Sequence, residues 1–107
     1  MTQIVITGMG IISPYGVGPA LLWEKLLAGA SGLISLVNFD TAHIQCRVGG
    51  QLVDFQPNEY ISPRLTRKID RFSTLGVIAA QLALRDAGWL GEKDEPVWRQ
   101  PCLMTRA

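Results

Sequence analysis

The sequence predicts an α/β protein, and three stretches of the chain carry that prediction. Residues 4–7 form a β-branched apolar run without alternating polar positions, which is typical of a strand buried on both faces. Residues 19–29 and 62–88 have the apolar periodicity and the end signals of a short and a long helix. A buried strand together with helices is what an α/β protein contains.

The short helix is bounded by two residues that suit helix ends. Pro19 fits the first helical position, where an N–H would have no partner, and Gly29 can end the helix in a left-handed turn. One face of the helix carries four large apolar side chains: Leu22, Trp23, Leu26 and Leu27. We interpret Trp23 as a core anchor.

The middle of the chain carries weaker signals. Residues 30–44 are expected to be a loop, because turn-forming sequences interrupt them. Residues 45–53 are extended in character, and Gly49-Gly50 is either a tight hairpin turn or a weak spot within one strand. Residues 54–59 form a turn region that contains Pro57.

The long helix is the best-defined element. Ser62 suits the N-cap, Pro63 the first helical position and Gly88 the C-terminal stop. One continuous stripe at spacings of three and four is predicted from Leu65, Ile69, Phe72, Gly76, Ala79, Ala83 and Ala87. The small residues of this stripe allow another backbone to approach closely.

Gly8-Met9-Gly10 follows the predicted strand and invites comparison with a dinucleotide-binding fingerprint. That motif needs a third small residue and a helix that opens at the glycines, so that the helix N-terminus holds the pyrophosphate. Here Pro14 follows Ser13, and no helix can begin before about Pro19. We therefore predict that the glycines serve close backbone packing after the strand, and we expect no nucleotide cofactor.

The composition argues against several functional classes. Of the 107 residues, 48% are hydrophobic and only 18% are charged, so we expect apolar faces that need a partner to cover them. The net charge of +1 favours neither nucleic acid nor a membrane surface. No apolar stretch approaches the ~20 residues of a membrane span, and the N-terminus lacks a signal-peptide pattern. A soluble cytoplasmic protein is the expectation.

The residues with catalytic or metal-binding potential are few and scattered. Cys46 and Cys102 lie far apart without metal-ligand spacing, so neither a disulfide framework nor a metal site is expected. Cys46 is interpreted as a small buried hydrophobe, and His43, the single histidine, as a surface residue. We assign no catalytic residue from these positions.

Basic residues cluster at the start of the long helix. Arg64, Arg67, Lys68 and Arg71 are spaced to share one face of its first two turns, where the helix macrodipole disfavours cations. Two interpretations stay open. The cluster is either a solvated face with intramolecular carboxylate partners or a docking site for an acidic partner.

The opening stretch also carries a family resemblance. Residues 5–16 read Val-Ile-Thr-Gly-Met-Gly-Ile-Ile-Ser-Pro-x-Gly, which resembles the start of the β-ketoacyl-[acyl-carrier-protein] synthases. Later segments keep the resemblance in order: Trp23-Glu24-Lys25-Leu26-Leu27-Ala28-Gly29, Ser31-Gly32-Leu33, Phe39-Asp40, Val53-Asp54-Phe55 and Arg67-Lys68-Ile69-Asp70-Arg71-Phe72. The resemblance covers roughly residues 3–90 and then fades. It implies a synthase segment over residues 1–90 and a divergent tail over residues 91–107.

The resemblance implies a partial thiolase-like α/β fold, the first part of the N-terminal half. The family condenses an acyl thioester with malonyl-carrier protein and releases carbon dioxide, with no organic cofactor or metal, and its full-length members are homodimers. Its nucleophilic cysteine, two histidines and supporting lysine lie beyond the resembling part. No catalytic residue is therefore carried over, and this chain is expected to be inactive alone.

The resemblance also favours the docking interpretation of the basic residues. In the family, basic residues of the matching helix meet the acidic acyl carrier protein, and Arg64, Arg67 and Lys68 stand at the matching positions. The elongating fatty-acid type is the best match. A polyketide ketosynthase, a non-catalytic carrier-docking protein and a truncated gene product remain as alternatives.

Overall fold

The computed structural model describes residues 2–90, whose elements are short. In chain order they are β1 (Ile12–Ser13), β2 (Gly16–Val17), α1 (Pro19–Leu27), β3 (Leu33–Ser35), β4 (Val48–Gly50), a 3₁₀ turn (Pro57–Glu59), α2 (Pro63–Thr66) and α3 (Arg71–Asp86). Within the described residues the strands form two separate antiparallel pairs, β1 with β2 and β3 with β4.

The expected strand at residues 4–7 does not form in the described part of the chain. Ile4 is 96% exposed and Ile6 85% exposed, and no strand pairs with this run. A β-branched sequence favours extended backbone, but a strand exists only where a neighbour completes its ladder of hydrogen bonds. No other segment of residues 2–90 supplies that neighbour.

Gly8 and Gly10 lie directly against the backbone of α3. A Cβ on Gly8 would overlap the backbone oxygen of Ala83 and approach the backbone nitrogen of Ala87 to 2.5 Å. A Cβ on Gly10 would overlap the backbone oxygen of Ala79 in the same way. The prediction of close backbone packing at these glycines is confirmed, and the structure adds that their partner is the side of α3 with Ala79, Ala83 and Ala87.

A hydrogen bond also fixes the position of the N-terminal segment along the axis of α3. The backbone N–H of Met9 donates to Oδ2 of Asp86 at 2.9 Å, near the C-terminal end of α3. Because Met9 lies between the two packed glycines, this bond sets which residue of the N-terminal segment faces which turn of α3. No role for Asp86 was predicted from the sequence.

Helix α1 begins and ends as predicted. Gly18 precedes it with a φ of 105°, Pro19 is its first residue, and Gly29 follows in the left-handed region with a φ of 66°. Trp23 is 64% exposed, so its interpretation as a core anchor is wrong. Within residues 2–90, α1 contacts β2, while Trp23, Leu26 and Leu27 of its apolar face stay exposed.

The predicted long helix is two helices. The structure bears out Ser62 before α2, Pro63 at its start, and Gly88 after α3 with a φ of 74°. Asp70 interrupts the helix with extended backbone, at φ −67° and ψ 161°, and its carbonyl accepts the N–H of Thr74 to start α3. Aspartate is common at N-cap positions, although the Asp70 side chain makes no capping hydrogen bond here.

The open question at Gly49-Gly50 is resolved in favour of a strand. Both glycines belong to β4, where Gly49 pairs with Ile34 and Gly50 with Leu33. The partner strand β3 lies in residues that were expected to be a loop. Its three-residue length is too short for a recognisable alternation of apolar and polar side chains.

The buried core of the described residues is small. Ile61, Thr74 and Ile78 are its buried members, located where α3 packs near the 3₁₀ turn. Many large apolar side chains are exposed, among them Leu27 and Phe72 at 70% and 76%. The apolar faces expected from the composition are therefore present and uncovered. No helix in residues 2–90 is long and apolar enough to span a membrane.

Candidate functional site

The basic residues at the candidate site lie on α2 and the turn that follows it. Arg64 belongs to α2, Arg67 is its C-terminal cap, and Lys68 is in the turn before α3. All three side chains are exposed. We call these three residues the basic cluster.

Arg71 does not belong with them, which corrects the prediction of one four-residue face. Its guanidinium donates to the backbone oxygen of Leu52 at 3.2 Å and so ties the start of α3 to the chain after β4. The predicted face assumed continuous helical geometry from Arg64 to Arg71. The break at Asp70 removes that geometry.

The three residues of the basic cluster differ in whether their side chains make hydrogen bonds. Nε of Arg67 donates to the backbone oxygen of Pro63 at 3.3 Å, which folds this side chain along α2. The side chains of Arg64 and Lys68 make no hydrogen bond or ion pair within residues 2–90. No carboxylate in the described part of the chain is within ion-pair distance of the cluster.

The exposed cations weaken one of the two open interpretations, the solvated face with intramolecular carboxylate partners. Intramolecular carboxylate partners, which the solvated-face interpretation required, are absent from residues 2–90. An uncompensated group of exposed cations attracts an anionic surface over roughly 8 Å at physiological salt.

Helix α2 is a single turn and depends on its surroundings for its position. Its first residue is Pro63, and the side-chain oxygen of Thr66 lies 3.2 Å from both Oδ1 of Asn58 and the carbonyl of Ser62. Ile61, just before the turn, is buried. These contacts hold the basic cluster on the 3₁₀ turn, because a four-residue helix is not stable by itself.

The described residues offer no catalytic constellation. Cys46 is exposed, which contradicts its interpretation as buried, and its Sγ donates to the backbone oxygen of Val48 at 3.6 Å. It stands at no helix N-terminus, where a reactive thiolate is commonly found. His43 is exposed, as predicted. Within residues 2–90 no group of His, Cys, Asp or Glu side chains could hold a metal ion, and Cys102 lies outside the described residues.

Comparisons with known proteins place these features in a family. Residues 1–98 match the model of the β-ketoacyl synthase N-terminal domain. A 3-oxoacyl-[acyl-carrier-protein] synthase 2 of Vibrio cholerae is 38% identical over 86 residues, covering 80% of this chain and 21% of that protein. The tetracenomycin polyketide synthase ketoacyl synthase beta subunit of Streptomyces glaucescens is 37% identical over 92 residues, covering 86% of this chain and 22% of that protein.

A solved structure is similar as well. The ishigamide ketosynthase/chain length factor superposes with a TM-score of 0.73 at 34% identity, covering 84% of this chain and 22% of that one. The α/β fold class predicted from the sequence is confirmed by this similarity. The chain spans about a fifth of the length of the curated relatives it matches.

Proposed function

The chain belongs to the β-ketoacyl synthase family, with part of its thiolase-like α/β fold, and we propose that it is the N-terminal portion of a 3-oxoacyl-[acyl-carrier-protein] synthase of fatty acid biosynthesis. Such an enzyme joins an acyl thioester to the malonyl group of a carrier protein and releases carbon dioxide. The reaction needs neither an organic cofactor nor a metal. The synthase similar to this chain in Vibrio cholerae supports the fatty-acid assignment.

Within that enzyme, we propose that this chain forms the surface on which acyl carrier protein docks. The observation that carries the assignment is the basic cluster, in which Arg64 and Lys68 are exposed and have no ionic partner among residues 2–90. An acidic carrier would supply the missing negative charge. Charges at the rim of an interface steer encounter and orient the partner, so this docking would be fast and weak and would depend on salt.

The chemistry of condensation falls to residues other than those described here. A nucleophilic cysteine of this family takes the acyl group, and Cys46 has none of the surroundings that such a nucleophile uses. A full-length synthase containing this segment would act in the cytoplasm as a homodimer. The exposed apolar faces of α1 and α3 fit burial against further parts of the enzyme.

A polyketide ketosynthase is the second candidate. The similarity to the tetracenomycin subunit and to the ishigamide structure favours it, since identity to those proteins is close to that of the fatty-acid relative. The two candidates share the basic cluster and the docking role. They differ in which carrier protein binds more tightly, so paired titrations with a fatty-acid and a polyketide carrier discriminate them.

The division between docking and chemistry predicts a specific result for the isolated 107-residue chain. Incubated with acyl-carrier protein, the chain should bind the carrier but take no acyl group, because the described residues hold no activated nucleophile. Intact-mass spectrometry should show the unmodified chain, before and after malonyl-carrier protein is added.

The same experiment can contradict the proposal. A stable acyl adduct on Cys46 or Cys102 that disappears when malonyl-carrier protein is added would place the chemistry in this chain. The Cys46→Ser variant identifies which thiol is involved. If the chain showed neither an acyl adduct nor binding of the carrier at low salt, the proposed docking role would be wrong.

A further inference from the structure

A second charged surface lies beside the basic cluster and carries the opposite sign. It is an open cleft of about 470 Å³ between the β1–β2 turn, the start of β3 and residues 51–60. Among the described residues, its lining includes the carboxylates of Asp54 and Glu59 and no lysine, arginine or histidine. Glu59 belongs to the 3₁₀ turn that α2 contacts, so the cleft and the basic cluster are neighbours.

Aromatic rings form the walls of this acidic cleft. Tyr15 lines one side, and its hydroxyl donates to the backbone oxygen of Ala30 at 2.6 Å, which fixes the ring. Phe55 and Tyr60 line another part and stack on each other, with ring centroids 5.6 Å apart and planes inclined by 21°. Fixed ring faces attract cations, and a planar guanidinium stacks on them especially well.

The two carboxylates have no partner in the described structure. Asp54 and Glu59 are both exposed, and neither side-chain carboxylate makes a hydrogen bond or an ion pair within residues 2–90. Each directly adjoins an aromatic residue of the wall in sequence, Phe55 in one case and Tyr60 in the other. Because the rings and both carboxylates line the same cleft, they favour a cation there over an apolar ligand.

We propose that this acidic aromatic cleft binds an arginine-bearing peptide segment of a partner protein. The guanidinium would lie against the aromatic wall and pair with Asp54 or Glu59, while Gln56 of the lining offers its amide group to the peptide backbone. This interaction goes beyond carrier docking, because an acidic carrier is repelled here and attracted by the basic cluster. The basic cluster would thus select an acidic partner, and the acidic aromatic cleft a basic one.

The test is a titration of the full 107-residue chain with a fluorescein-labelled Gly-Arg-Gly-Arg-Gly peptide, followed by anisotropy. We expect saturable binding that weakens with salt, and none of the matching Gly-Glu-Gly-Glu-Gly peptide. The variant Asp54→Asn with Glu59→Gln should bind about tenfold more weakly. Tyr60→Leu should weaken binding about threefold and reduce the preference for arginine over lysine peptides.

A matched control removes two charges elsewhere. Glu24→Gln with Asp70→Asn changes the net charge equally, and asparagine keeps the N-cap preference before α3, so peptide binding should stay within about twofold. Circular dichroism of each variant reports its helix content. Absence of saturable binding to the wild-type chain, or an equal loss in the control, would overturn the proposal. The proposal would also be overturned if self-association of the chain accounted for the whole anisotropy change. The acidic aromatic cleft would then be occupied by a second copy of the chain.

Discussion

Replacing Arg67 and Lys68 of the basic cluster by glutamate should weaken binding of an acidic acyl carrier protein at least about tenfold at low salt. Each reversal replaces an attraction with a repulsion at an exposed position, and no carboxylate within residues 2–90 compensates the cluster. The dependence of affinity on salt should become flatter. Helix content should change little, because both residues lie between α2 and α3.

The matched control reverses two cations on other elements. Lys25→Glu with Arg47→Glu changes the net charge by the same amount, with Lys25 on α1 and Arg47 bonded to loop carbonyls. Titration of both double variants against the carrier, over a range of salt, separates a local surface from a general charge effect. Equal behaviour of the two variants, or no change in either, would leave the cluster as a solvated surface.

Gly10→Ala should lower the free energy of unfolding by about 1–3 kcal/mol. The new Cβ would overlap the backbone oxygen of Ala79 and lie 2.5 Å from the backbone nitrogen of Ala83, and backbone atoms of a helix cannot move aside cheaply. The N-terminal segment would have to leave α3. Urea unfolding followed by helix circular dichroism measures the loss, and amide exchange at Met9 reports release of its bond to Asp86.

Gly76→Ala is the control within the same helix, and the opposite sign is expected. Apart from its chain neighbours and the backbone of α3 itself, no atom of residues 2–90 lies within 4 Å of a Cβ built on Gly76, so alanine should stabilise α3 by about 0.5–1 kcal/mol. If Gly10→Ala were neutral or stabilising, the close approach of the N-terminal segment to α3 would be wrong.

The parts of the fold that the sequence predicted well are those set by local chemistry. Pro19 and Gly29 bound α1, and Gly88 ends α3, because proline and glycine restrict or extend backbone freedom wherever they stand. The close packing of Gly8 and Gly10 was predictable from a glycine pair after an apolar run and a helix face of small residues.

The parts that the sequence did not predict depend on distant neighbours. Residues 4–7 have the composition of a strand, but pairing needs a second strand that residues 2–90 do not provide. Trp23 is exposed for a similar reason, since an apolar side chain is buried only where another element covers it. Asp70 was recognised as an acid within a basic face, and its capacity to start a new helix was overlooked.

At the candidate site, too, local features were predicted and features that depend on distant segments were not. The residue types of the basic cluster were predicted, and all three proved exposed, but the shared helical face was wrong and Arg71 turned out to bind Leu52. The acidic aromatic cleft was not predicted, because its walls come from three segments far apart in sequence. No local pattern brings Tyr15 near Tyr60.

The most direct test of the account is condensation by a segment-exchanged synthase. The 86-residue segment shared with the Vibrio cholerae synthase is replaced there by the matching residues of this chain. Turnover of acyl-carrier protein with malonyl-carrier protein should be retained, and Arg67→Glu with Lys68→Glu in the exchanged enzyme should raise KM for the carrier substrate while kcat changes little. An exchanged enzyme with the parent's oligomeric state and melting temperature but without condensation would contradict the assignment of this chain to such a synthase.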